Sequence, residues 1–385
     1  MKKSMSFFKI LSYACIVLNA ITAHAAISTL TSEFTNPADL DKVENLEITN
    51  GILLISPRLK FEGTNGDGVS GTAKTENLVD FLPYLIVAKR IDEKFVAGLD
   101  IQPKNYGHVL WNVGGFTSAN GTETVVLDYV LRPKLSYQVD ERLTLAAGLN
   151  FTYVTVKMAA YDVNGNGQNM VNKTNDFIGS FTVGANYAIN DSTFLSAVYD
   201  NGYNTQVSGK SVNGNTISRN YTNLATDPKI IMVGLGKLLN PQLAVQGKIY
   251  WSSWNNFKKF EFKNTASAGE KDFLVPSHTK NTLSFEASSR YQCSENKAIF
   301  GAVLYETNPS PDKYNAVGYP VAPFMALFAG IEYGFTPHMF AQASYGYGFF
   351  SSKAKIKPDT PASFQNIGKV SLKAHLAKLQ LTYKI

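Results

Sequence analysis

The chain has 385 residues, of which 17% are charged and 12% aromatic, with 20 Tyr and 24 Phe. Soluble proteins carry about 25% charged residues, and beyond the first 25 positions no apolar run approaches the roughly 20 residues that a spanning helix needs. This combination is unusual for a cytosolic enzyme and is not that of a helical membrane protein; it fits a β-rich chain whose outside meets lipid.

The formal net charge is +6, from 36 basic and 30 acidic residues. Lys2, Lys3 and Lys9 belong to an N-terminal leader, so the rest carries 33 against 30, or +3. That balance gives no electrostatic footprint for nucleic acid. The leader, residues 1–25, reads as a signal peptide. Lys2 and Lys3 are its basic start, 10–21 is mostly apolar, and Ala23-His24-Ala25 is a small-residue cleavage site. A buried N-terminal helix is the alternative. Ser12-Tyr13-Ala14 before Cys15 makes a poor lipid-attachment site. With Cys15 in the leader, Cys293 stands alone and no internal disulfide is expected.

Residues 26–46 do not alternate, and they are long enough to fold back into a barrel mouth. From residue 47 a period of two dominates. In 125–137 the odd positions are Val125, Leu127, Tyr129, Leu131, Pro133, Leu135 and Tyr137, whereas the even ones include Asp128, Arg132 and Lys134. Alternation over such lengths suits a tilted membrane-spanning strand of about 9–11 residues better than the roughly 5–6 usual in a soluble sandwich or propeller. In lipid, strands span only as a closed barrel, because every backbone group must be paired. Fourteen segments are predicted, near 47–61, 76–90, 93–107, 122–138, 142–158, 174–188, 193–207, 227–239, 242–263, 279–292, 297–306, 323–335, 338–355 and 369–385. The expected fold is therefore all-β: a 14-stranded antiparallel transmembrane barrel over 47–385. Tight turns at 90–93, 139–142, 189–192, 239–242, 294–296 and 335–338 read as periplasmic. The longer, Asn-, Gly-, Ser- and Pro-rich stretches 158–174, 207–226, 263–279, 306–323 and 355–369 read as extracellular loops.

Three short motifs resemble the FadL-type long-chain fatty acid and hydrocarbon transporters of the outer membrane. Asn36-Pro37-Ala38, just before the first strand, looks like the N-P-A of that family's N-terminal hatch. Asn105-Tyr106-Gly107 is similar to its kinked third strand. Trp251-Ser252-Ser253-Trp254 with Phe257 resembles its W-[ST]-x-W-x-x-F stretch. Segment order runs parallel over nearly the whole chain. The resemblance implies a lumen blocked by a hatch, here 26–46. It also implies passive diffusion of a hydrophobic ligand, sideways exit through the third strand, a monomer in Gram-negative outer-membrane lipid, and no cofactor.

The residues support candidate sites on their own terms. Pro103 cannot donate to a ladder and Gly107 permits a bulge, so together they can unzip a strand pair and open a side window; relief of barrel curvature is the other use of such a kink. Asp128, Arg132 and Lys134 face inward by parity. They could orient a carboxylate head or form a charge ladder to other strands, the ordinary use in a polar barrel interior. Trp251, Trp254 and Phe257 are possible lumen contacts. In an unbroken strand Trp251 and Trp254 face opposite sides, one of them joining an interfacial girdle.

Asp162-Val163-Asn164-Gly165-Asn166-Gly167 matches the first half of a calcium loop, but the position that needs Glu is Lys173, so no metal is expected. His375 and Ser371 lie too far apart along one strand for a nucleophile–base pair, and no catalytic constellation is found. The expected function is passive outer-membrane uptake of fatty acids or related hydrocarbons. A general diffusion porin with a small plug is the alternative, and a barrel enzyme or adhesin a more distant one.

Overall fold

The computed structural model describes residues 36–385 apart from 66–67, 113–114, 118–120, 162–168, 268–270 and 358–365. The leader, the first part of the expected hatch and the Asp162–Gly167 loop lie outside the described residues. A single 3₁₀ turn, Pro37–Lys42, precedes the strands.

The strands, in chain order, begin with β1 (Leu46–Thr64), β2 (Ser70–Lys74), β3 (Asp80–Arg90), β4 (Phe95–Leu110), β5 (Glu123–Gln138), β6 (Leu143–Tyr161) and β7 (Asn169–Asn190). Next come β8 (Thr193–Asp200), β9 (Tyr203–Asn213), β10 (Thr216–Asp227), β11 (Ile230–Asn240), β12 (Leu243–Ser252), β13 (Lys259–Lys263) and β14 (Phe273–Pro276). The last are β15 (Thr282–Ser294), β16 (Lys297–Glu306), β17 (Phe324–Thr336), β18 (Met339–Phe350), β19 (Ala354–Ile356) and β20 (Ile367–Lys384).

Fourteen of them form a closed antiparallel wall in the order β1, β3, β4, β5, β6, β7, β8, β11, β12, β15, β16, β17, β18, β20. The circle closes where β20 pairs with β1 from Glu47↔Lys384 to Thr64↔Ile367. Closure leaves no strand without a neighbour on each side, which is what lets strands cross hydrocarbon. The remaining strands prolong the wall at the long-loop end.

At the other end the turns are tight for a local reason. Asp92, Asp140, Asn190 and Asn240 each accept, through the side-chain carbonyl oxygen, from backbone N–H groups two or three residues on. The outer face is apolar, and Tyr137, Tyr187, Tyr291, Tyr333 and Tyr383 sit exposed near the tight-turn end. That is the place where an amphipathic ring meets headgroups.

Several boundaries differ from the expectation. The seventh segment breaks at Asn201-Gly202, where Gly202 takes the left-handed φ of 56° that glycine tolerates. The supposed loop 207–226 is instead a β9–β10 hairpin turning at Gly214. The ninth segment, expected unbroken over 242–263, stops at Ser252 and resumes at Lys259. The thirteenth ends at Phe350 rather than 355.

The lumen has two tiers. Toward the long loops the inward residues of three strands are apolar: Leu53, Ile55, Leu59 and Phe61 on β1, Val154, Val156 and Met158 on β6, Phe324, Ala326 and Phe328 on β17. Toward the tight turns the same strands turn polar, with Glu47 and Thr49 on β1 and Asn150 and Thr152 on β6. On β20, Val370, Ala374 and Leu376 give way to Lys378, Gln380 and Thr382.

Candidate functional site: the lumen and the gap in its wall

The N-P-A turn lies inside the polar tier. Asn36 caps it, accepting from the Ala38 N–H at 3.0 Å and donating through Nδ2 to Asn186 Oδ1 at 2.9 Å. Pro37 stands at the first helical position, where its missing N–H costs nothing. Gly184 is the seat: a Cβ there would collide with the Asn36 carboxamide and the Pro37 ring. Arg90 holds the far end, donating to the Val43 and Asp41 carbonyls at 2.9 and 2.6 Å. Burial pushes the Asp41 carboxyl above the usual carboxylate range. The turn packs against β4, β5, β6 and β7. Across from it, a cavity of about 310 Å³ separates it from β12 and β15–β18. That side is lined by ion pairs, Lys248–Glu286 at 3.1 Å and Arg290–Glu332 at 2.7 Å.

The third wall strand, β4, carries the second motif. Its ladder to β3 runs only from Arg90↔Val96 to Leu85↔Ile101. Beyond that point Asp80–Tyr84 of β3 remain paired with β1, and Gln102–Leu110 of β4 remain paired with β5. Backbone pairing between the two posts resumes at the Thr75↔Trp111 bridge and the Glu76 N–H to Leu110 carbonyl bond. The interval is a gap in the hydrogen-bonded wall.

Its cause is local. Lys104 is an extra residue between Pro103↔Tyr129 and Asn105↔Asp128, a bulge beside the proline. Alternation fails here: the six residues Gln102–Gly107 are all buried. The gap begins level with Gly51 and Gln380 and climbs beside Leu53 and Ile55, so it opens from the boundary of the two tiers into the apolar one.

Asp128, Arg132 and Lys134 point inward, and their partners come from other strands. Lys134 Nζ lies 2.7 Å from Asp100 Oδ2, both side chains at 0% exposure. Arg132 Nε donates to Asn150 Oδ1 at 2.6 Å. Asp128 accepts from Asn105 Nδ2 at 2.6 Å and the Tyr203 hydroxyl at 2.8 Å. The bulged Lys104 lies 2.6 Å from Asp227 and 3.3 Å from Asp200. The result is a cross-strand charge ladder at mid-height, in which these basic groups already face protein acceptors. Asp100, Lys104, Asp200, Tyr203 and Asp227 were not singled out from the sequence. The signal available for Asp100 was its place directly opposite Arg132 in a hairpin.

In the third motif Trp251 and Trp254 lie on opposite sides, as in the sequence reading, but the strand that carries them is broken. Trp251 pairs with Ile231 and Leu283, both exposed on the outer face, so it faces outward and is not a lumen contact. The chain then leaves the ladder, and Trp254–Asn256 forms a 3₁₀ turn. Trp254 and Phe257 are both buried, in the apolar cluster that includes Val156, Met158 and Tyr221. Phe257 meets Phe260 edge-on at 4.5 Å. The Thr279 hydroxyl donates to the Trp254 carbonyl and, at 2.6 Å, to that of Phe257. Among the described residues no cluster of three or more His, Cys, Asp or Glu side chains could hold a metal. His375 is engaged on the outer face, 2.6 Å from the Tyr345 hydroxyl.

A closed fourteen-stranded barrel with a lipid-compatible exterior, a lumen turn and a break beside its third strand defines an outer-membrane transport barrel. The chain belongs to the outer membrane protein transport family OMPP1/FadL/TodX, whose sequence pattern matches residues 19–385. Among solved structures, that of a Pseudomonas aeruginosa FadL homologue is similar with a TM-score of 0.80 at 15% identity, over 96% of this chain and 99% of that one. The Ralstonia pickettii toluene transporter TbuX gives a TM-score of 0.70 at 14% identity, over 92% and 93%. The P. putida toluene transporter TodX gives 0.68 at 14%, over 92% and 94%. At these identities the likeness is one of fold. No curated protein sequence matches.

Proposed function

We propose that the protein admits hydrophobic compounds, long-chain fatty acids or related hydrocarbons, passively across the Gram-negative outer membrane and releases them sideways through the gap between β3 and β4. The observation that carries this reading is the position of the gap. It borders the apolar tier and starts where the lumen becomes polar. An acyl chain loses roughly 0.8 kcal/mol per CH₂ on moving from hydrocarbon to water. A ligand lodged among Phe61, Phe324 and Met158 therefore meets a rising barrier toward the charge ladder and a falling one toward lipid.

In this reading residues 1–25 are a cleaved export signal, 26–46 act as the hatch, and the long-loop end faces outward. The barrel works as a monomer without covalent chemistry. TbuX and TodX are described as toluene transporters; small aromatic hydrocarbons are therefore candidate ligands beside fatty acids.

The test is uptake of labelled oleate and labelled toluene by outer-membrane-intact cells with and without the protein. Expression-dependent uptake of either supports the reading, and uptake of neither contradicts it. A second reading, a general diffusion porin, draws on the polar cavity beside the N-P-A turn. Planar-bilayer recordings separate the two. Steady large currents belong to the porin, near silence to a lumen closed by its apolar tier.

A further inference from the structure

The gap between β3 and β4 lacks backbone bonds, yet it is not empty. Tyr106 and His108 lie opposite Leu127 and Val125, on the outer face of β5. An outward side chain of this barrel ordinarily meets lipid. Tyr106 is instead 4% exposed, its ring packed with the apolar cluster of the upper lumen. Its hydroxyl reaches across the gap to Asp80 on β3, donating to Oδ2 at 2.5 Å. His108 Nδ1 lies 2.8 Å from the same oxygen. His108 Nε2 lies 3.7 Å from Glu123, which is paired with Lys157 at 2.6 Å, so the ring is oriented from behind.

The opposite post is fixed. The Ser56 hydroxyl donates to the Leu78 carbonyl at 2.5 Å, and the Leu59 N–H donates to Thr75 Oγ1 at 2.9 Å. The two posts are thus each fastened to their own neighbours, β1 and β5, and are joined across the gap by side chains.

We propose that Asp80, Tyr106 and His108 form a clasp that holds this gap shut, and that parting of the clasp sets the rate at which a hydrophobic ligand leaves the lumen. The inference rests on the lateral-exit reading. A wall that needed only to be closed would continue its ladder, or fill the space with apolar side chains. A carboxylate gripped by a phenol and an imidazole closes it in a way that side-chain rotation alone undoes. The Tyr106 ring would swing with its hydroxyl, clearing the space a ligand has to cross.

The experiment compares initial uptake of labelled oleate and toluene by cells carrying Asp80→Ala, Tyr106→Phe with His108→Ala, and all three substitutions, at matched surface levels. Folding is read from heat-modifiable electrophoretic migration. The clasp predicts that each of the first two raises the rate about tenfold or more, since each removes both hydrogen bonds to the carboxylate. It also predicts that the triple variant adds little, since both changes break one unit. Asp80→Asn, which keeps an acceptor for Tyr106, should raise the rate less.

Unchanged or reduced uptake by folded variants overturns the clasp. If Asp80→Ala fails to insert, Tyr106→Phe alone asks the same question from the other post. A barrel with β4 straightened by Pro103→Val and Gly107→Val separates the two ideas. Uptake lost there but unmoved in the clasp variants sinks the clasp alone, whereas uptake unmoved there sinks lateral exit as well.

Discussion

Lys134 shows what parity reveals about a residue and what it leaves hidden. Its inward direction follows from its place in an alternating strand, as do those of Asp128 and Arg132. Its partner does not, because parity fixes a face while the register between strands decides which side chains meet there. Asp100 reaches Lys134 only through the β4–β5 pairing. Replacing Lys134 by Met strands that fully buried carboxylate and is expected to cost about 3–5 kcal/mol. Adding Asp100→Leu should recover most of the loss. Guanidinium unfolding of the lipid-reconstituted barrel reads both. The N-P-A turn makes a second prediction at this scale. Gly184→Val removes the seat under Asn36 and Pro37 and should loosen the turn. The expected outcome is a higher ionic conductance in planar bilayers than wild type, with the barrel still closed.

At the scale of the element, β4 and the ninth segment are instructive opposites. In β4 the disturbance was legible, since a proline and a glycine four residues apart argue against an unbroken ladder. Which neighbour loses contact was not legible: β5 follows the bulge at Lys104, and β3 lets go. In the ninth segment the aromatic pattern through Phe260 and Phe262 reads as one long strand. The break at Ser253 comes from contacts distant in sequence, above all the Thr279 hydroxyl on the Trp254 and Phe257 carbonyls. Phe257 therefore turns inward with Trp254, which an unbroken strand would set on opposite faces, while Trp251 keeps to the outer face. Thr279→Val removes one donor from each of these carbonyls, which keep the Phe257 N–H and the Ser277 hydroxyl, and should cost about 0.5–1.5 kcal/mol. The same unfolding measurement detects it, and an unchanged midpoint would show that the 3₁₀ turn holds without the hydroxyl.

For the whole molecule, strand number, closure and the lipid-facing exterior were legible because period-two alternation and turn chemistry are local. The two-tier lumen was only partly so. It emerges when strands are set side by side, and then Val370 to Thr382 of β20 and Phe324 to Glu332 of β17 change character at the same height. That arrangement gives the gap beside β4 its meaning, for it lies where an apolar ligand has water-loving groups ahead and hydrocarbon to the side. Uptake of labelled ligand by cells carrying the folded Pro103→Val/Gly107→Val barrel tests this claim most directly. Straightening β4 should let its ladder to β3 continue past Ile101, and uptake should fall to the level of cells without the protein. Wild-type uptake through the straightened barrel would show that the ligand takes another way out.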